Sequence, residues 1–235
     1  MAYTGQVLQN PASGERITIR RTAAETNGEL LAIDLELPPH RRVPGGLHRH
    51  PRQEERFEVV RGRMRFNLGP ERIVAGPGEV VVVPPGVGHD FANAGLEEAL
   101  VRVEVRPALK MERLFETAVA LAEQGRTYGN GIPKPLDLAL LAREFEQEVQ
   151  GAFPPLWVQR LLLAPLAWIA KRRGRDDVFA RDDDRQAHPT GGRCRPRPSA
   201  PAGREPGRTM VPRLAGGQRT MMPCVPIGPS SDRRP

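Results

Sequence analysis

The chain has 235 residues, 39% of them hydrophobic, with 25 prolines and a formal net charge of +7. That length fits one ordinary domain with additions or two small ones and suffices for a real core, while the high proline content marks part of the chain as unpacked. A basic chain invites a nucleic-acid reading, but its distribution argues against one: +4 of the +7 falls from Asp176 onward, 11 Arg against 7 acids, and no basic stripe interleaved with aromatics occurs.

In chain order, residues 1–14 read as a lead-in and residues 15–107 as strands and turns. Arg16–Arg20 alternates, and Leu30–Leu37 is apolar with charges near its end. Arg56–Val60 leads into a hairpin centred on Arg61-Gly62, followed by Arg63–Leu68. Glu79–Val83 reads as a buried strand stopped by Pro84-Pro85-Gly86, and Ala99–Val105 alternates again. Short strands with regular turn signals predict a sandwich or barrel. Residues 108–175 switch to helical spacing, with helices over Met111–Glu123, Leu136–Val149 and Leu156–Ile169. From 176 to 235 there is no periodicity, ten prolines occur, and a disordered tail is expected because too little apolar surface is available to offset chain entropy. The two cysteines, Cys194 and Cys224, fall in that tail, so no disulfide framework is expected. The N-terminus has neither a basic n-region nor an apolar h-region, and the expected location is cytoplasmic.

Two stretches carry chemistry. The first is Gly46-Leu-His48-Arg-His50-Pro-Arg-Gln-Glu-Glu55, with Gly62 following. Two histidines two residues apart on an extended strand point to one face. Pro51 ends that strand, because it cannot donate to a ladder. Glu55 can then arrive from the next strand, where Glu55, Phe57 and Val59 share a face. Glu54 is the rival carboxylate, but its parity points it away from Phe57. The second stretch runs from Gly78 through Val80–Val83 and Pro84-Pro85-Gly86 to His89, Phe91 and Asn93. Its turn returns the chain so that His89 can complete a site with His48, His50 and Glu55.

The two stretches follow H-x-H-x4-E-x6-G and G-x5-P-x-G-x2-H-x3-N, and on Gly46–Asn93 the chain resembles the cupin superfamily, whose RmlC-like barrels carry this pair of motifs. The resemblance implies a mainly β fold, a double-stranded β-helix or jelly-roll barrel, here followed by α-helices. It implies one divalent transition metal (Fe, Mn, Ni, Cu, Co or Zn) held by His48, His50, Glu55 and His89. Gly62, Gly78, Gly86 and Pro84 become turn residues, and a homodimer is the expected assembly.

Around that site Phe57, Met64, Phe66 and Phe91 are candidates for an apolar pocket, with ordinary core as the competing reading. Arg41, Arg42, Arg49, Arg52 and Arg56 crowd the sequence near the ligands, either as an anion-attracting mouth or as a solvated surface. His40 and His188 lie outside the motifs. Leu156, Trp157, Leu161, Leu162 and Trp168 precede Lys171-Arg172-Arg173, which suits either a packed helix or a peripheral membrane contact. Three functions are carried forward. The first is a metal-dependent oxygenase (a dioxygenase) acting on a small organic substrate. The second is a non-enzymatic small-molecule-binding module with a helical docking or membrane-surface segment. The third is an isomerase-like cupin, which would need a His or Tyr base, and Tyr3 and Tyr128 lie outside the motifs.

Overall fold

A computed structural model describes residues 2–179. The expected disordered tail lies outside these residues beyond Phe179, as do His188, Cys194 and Cys224. The strands are β1 (Val7–Gln9), β2 (Arg16–Arg21), β3 (Leu31–Leu37), β4 (His48–Arg49), β5 (Glu54–Arg61), β6 (Met64–Leu68), β7 (Glu71–Ala75), β8 (Val80–Val83), β9 (His89–Asn93) and β10 (Ala99–Arg106). Helices α1 (Met111–Glu123) and α2 (Pro135–Glu144), strand β11 (Gln150–Gly151) and helix α3 (Leu156–Arg172) follow.

All pairings are antiparallel and form two sheets, one ordered β1-β2-β3-β10-β5-β8 and the other β11-β4-β9-β6-β7. They face each other as a jelly roll, closed by rings from both. Phe57 on β5 lies 5.2 Å from Phe66 on β6 and 4.8 Å from Phe91 on β9, centroid to centroid. The alternation that sends every second side chain inward is kept along β10, where Ala99, Val101, Val103 and Val105 are buried. The last motif residue, Asn93, ties this end of the barrel together. Its Nδ2 donates to the carbonyls of Leu37 (2.9 Å) and Glu97 (2.7 Å), while its Oδ1 accepts from Gly95 N (2.8 Å).

Two local expectations are corrected. The Arg61-Gly62 turn makes no hairpin, because β5 pairs with β8 and β10 whereas β6 pairs with β7 and β9. The turn carries the chain from one sheet to the other. Gly62 has φ +86°, and a Cβ there would fall 2.9 Å from Ala99 Cα, so the crossing requires glycine. Nor is β8 buried on both faces: it is an edge strand, with Val81 and Val83 inward and Val80 and Val82 exposed.

In the helical part α1 has the predicted bounds. Helix α2 starts with Pro135 at its first turn, where a missing N–H costs nothing, but it stops at Glu144, short of the expected Val149. There the amides of Glu148 and Val149 turn back onto the Phe145 carbonyl, which frees Gln150–Gly151 to extend the second sheet beside β4. Helix α3 runs beyond Ile169 to Arg172, through Pro165. A 3-10 turn (Arg175–Val178) follows, and Val178 and Phe179 are buried, so packed structure passes the expected boundary at 175. Asp137 is fully buried there, paired with Arg126 and Arg175.

Candidate metal centre

The strand pattern sets the site. On β5 burial alternates, so that Glu55, Phe57 and Val59 turn inward while Glu54 is exposed. The site carboxylate is therefore Glu55. His48 on β4 is paired in register with His89 on β9. His50 follows two residues after His48, and its carbonyl is held by Gly86 N at 2.7 Å. Gly86 sits at φ +80°, a left-handed conformation natural to glycine, and this returns the chain to present His89. The structure thus brings His48, His50, Glu55 and His89 together, with their ligand-type atoms all within 4.8 Å of one another. Ring centroids of the histidines are 4.4–5.4 Å apart.

The orientation of the three rings is set by backbone carbonyls. Nδ1 of His48 lies 2.9 Å from Gly46 O, that of His50 2.6 Å from Glu148 O, and that of His89 3.1 Å from Val87 O. A carbonyl only accepts, so each Nδ1 carries the hydrogen, and each Nε2 is left as the atom that faces the centre. His89 Nε2 meets Glu55 Oε2 at 2.9 Å, and His50 Nε2 lies 3.4 Å from the same oxygen. His50 Nε2 is buried without a hydrogen-bond partner, an arrangement that costs free energy unless something else binds it.

Electrostatics sort the four groups. Burial disfavours the Glu55 carboxylate, but the His50, His89 and His48 rings outweigh it and hold its pKa down to about 2. Burial, reinforced by His50 and His89, pushes His48 down to about 4. Burial also opposes a charged His89, yet its bond to Glu55 prevails and raises its pKa. In the metal-free protein this gives an anionic Glu55 beside a readily protonated His89. Three imidazole Nε2 atoms, their rings oriented from behind by carbonyls, and one anionic carboxylate fit a divalent transition metal by donor chemistry.

The centre opens on a cavity of about 450 Å³ lined by His48, His50 and Glu55 together with Phe57, Phe91, Ile33 and Val103 of the barrel. Met111, Leu114 and Phe115 of α1 and Leu141 of α2 supply further wall. Of the four expected pocket residues, Phe57 and Phe91 line this cavity, while Met64 and Phe66 are fully buried in the core. Four of the five arginines have partners of their own: Arg42 meets Asp90, Arg49 Gln150, Arg52 Gln147 and Arg56 Glu58. His40 is exposed, at φ +57°, and is not among the grouped residues.

Three contributors escaped the sequence. Glu148 gives the carbonyl behind His50. Gln53, fully buried next to the ligand strand, donates to the Pro107 and Ala108 carbonyls and fixes the passage from barrel to α1. Glu15 is buried and lines the same cavity. Burial, only partly offset by hydrogen bonds from Asn10 and Ser13, raises its pKa to about 7.

Residues 34–105 match the family model of the cupin domain. This part of the chain is a cupin domain. The match takes in all four site residues and leaves the helices outside it. No curated protein matches the chain. Among solved structures, the cupin domain is similar to KdgF from Halomonas sp., at 22% identity over 43% of this chain and 86% of that one, TM-score 0.38. It is similar to an RmlC-like cupin from Shewanella frigidimarina, at 20% identity over 48% and 94%, TM-score 0.39. A cupin-like protein from Thermotoga maritima shares 21% identity over 42% and 72%, TM-score 0.36.

Proposed function

We propose that the cupin domain holds one divalent transition metal on His48, His50, Glu55 and His89, and that it is a metal-dependent oxygenase acting on a small, largely apolar organic substrate. The observation that carries this reading is the unpartnered, buried Nε2 of His50, aimed at Glu55 beside a cavity of about 450 Å³. A bound metal would supply Lewis acidity, one-electron chemistry and positions left open by four protein ligands. The chain's own residues do the rest. The Gly46, Val87 and Glu148 carbonyls hold the rings in one tautomer. Phe57, Phe91, Ile33 and Leu114 exclude water from the substrate's apolar part. The test is oxygen uptake by metal-loaded protein over a panel of phenolic and diketone substrates. Uptake that depends on metal and substrate, and disappears in Glu55→Ala, is the expected result. Saturable ligand binding without uptake would leave a non-enzymatic binding module.

Glu15 favours a second reading. A carboxyl in the same cavity, its pKa raised to about 7, can give or take a proton, and so takes the place of the His or Tyr base expected of an isomerase-like cupin. Exchange of substrate protons with deuterated solvent, lost in Glu15→Gln while metal content is kept, would select this reading.

A further inference from the structure

We propose that the outward face of α3 is a docking surface for an anionic lipid bilayer. The inner face of this helix rests on the protein through Ala167 and Ala170, both buried. On the other side Trp157, Leu161, Leu162 and Trp168 are 69%, 68%, 59% and 57% exposed, and Phe153, just ahead of the helix, is 83% exposed. At 3.6 residues per turn, Trp157, Leu161 and Trp168 fall on one narrow arc. Single exposed hydrophobics need no explanation, but a contiguous set on one helix face marks a contact. Among the described residues no helix is long and apolar enough to cross a membrane, so the contact would be with the surface.

Charge chooses the partner. Residues 151–174 contain no acid, while Arg160, Lys171, Arg172 and Arg173 are cationic. Arg160 is paired with Glu146, which leaves the cationic excess at the C-terminal end of the helix. There the Arg172 guanidinium stacks 4.3 Å over the Trp168 ring, which sets a cation at the edge of the apolar face. Tryptophan rings and cations bordering apolar side chains match the layered chemistry of a lipid interface, with anionic headgroups above acyl chains. A second copy of α3 would bring cations and no acids of the helix itself to meet them, the flanking Glu146 and Asp177 being already paired with Arg160 and Arg126. The helix also reaches the cupin site. Gln159 Nε2 donates to Gly151 O at 2.9 Å, and Gly151 pairs with His48. Docking would therefore hold the cavity close to the membrane, where apolar substrates partition. The surface itself stands whether or not the site binds metal.

Trp157 and Trp168 are the chain's two tryptophans, so tryptophan emission, excited selectively over that of Tyr3 and Tyr128, reports on this face alone. The experiment mixes the full chain with phosphatidylcholine vesicles, with and without a phosphatidylglycerol fraction, and follows Trp emission and co-sedimentation. A blue shift and co-sedimentation on anionic vesicles are expected, both reduced by salt. The double variant Leu161→Glu/Leu162→Glu, checked as folded by circular dichroism, should lose about ten-fold or more in vesicle affinity. Absence of binding would overturn the proposal. Co-sedimentation without a Trp shift, or undiminished in the variant, would also overturn it by assigning binding to other cations of the chain. A shift that tracks protein concentration and dimerisation in sedimentation velocity would make the face an interface between copies instead.

Discussion

The Glu148 carbonyl oxygen lies 2.6 Å from Nδ1 of His50, across a separation of 98 residues. The cupin domain therefore does not orient its candidate site unaided: the turn after α2 supplies the carbonyl that fixes one of the three imidazoles. Groups of this kind, behind the ligands, are worth about 10- to 100-fold in metal affinity where they have been removed.

That dependence makes Phe145 a lever. Its ring is fully buried, and its carbonyl accepts from the amides of Glu148 and Val149. Phe145→Ala should cost about 3–5 kcal/mol of stability in urea unfolding. It should also weaken metal binding by about ten-fold in the protein that remains folded. Stability lost with unchanged metal affinity would show that Glu148 is a bystander.

Metal binding should release a proton near neutral pH. His89 is raised above its ordinary 6.5 by Glu55 against the effect of burial, so at or below that raised pKa it carries a proton on the atom a metal would need. His48, held to about 4, contributes no such cost at pH 6 or above. Affinity should accordingly fall as pH drops through the His89 pKa, by up to about ten-fold per pH unit. Titration of apo-protein with metal in weak buffer near pH 7 checks this through the proton yield.

Replacement of Glu55 by Gln separates the two forces on His89. Without the carboxylate, burial is opposed only by the Val87 carbonyl and by Asp90, so the His89 titration midpoint in apo-protein should move to lower pH. Proton NMR of the imidazole resonances in wild type and Glu55→Gln measures it. A midpoint that stays put would mean that the Glu55–His89 contact at 2.9 Å is not kept in solution.

The helical part has its own electrostatic anchor in Asp137, between Arg126 and Arg175. Burial opposes its charge, but the bonds from Arg175 and Arg126 hold its pKa below the ordinary 3.8. A depressed folded pKa means stability that is complete above about pH 4 and lost as pH falls through the folded value. Asp137→Ala should cost about 2–3 kcal/mol, less than a fully buried pair because Arg175 is partly exposed. It should also flatten the acid limb of the stability–pH curve from urea unfolding.

What could be read from the sequence was what local periodicity encodes. Parity along β5 separates Glu55 from Glu54, and the same alternation sends His48, His50 and His89 inward. The motif spacings sufficed to name the barrel, and the four residues they single out lie together in it. The valine run at Val80–Val83 misled, because β-branched residues suit an edge strand as well as a central one, and edge position depends on the whole sheet order. The Arg61-Gly62 turn misled for a similar reason: a tight glycine turn is compatible with a hairpin or with a crossing between sheets, and only the partners of β5 and β6 decide. Glu148, Gln53 and Glu15 carried no local signal. Each acquires its role from contacts made far along the chain or from burial that the fold alone creates.

The most direct test of the account is elemental analysis of the full chain after reconstitution with Mn, Fe, Co, Ni, Cu or Zn, beside His48→Ala and Glu55→Ala. The account predicts about one metal ion per chain for at least one of these metals, and its loss in both variants while circular dichroism shows the barrel intact. Folded wild-type protein that retains none of them would contradict it, and would leave the cupin domain as a metal-free barrel.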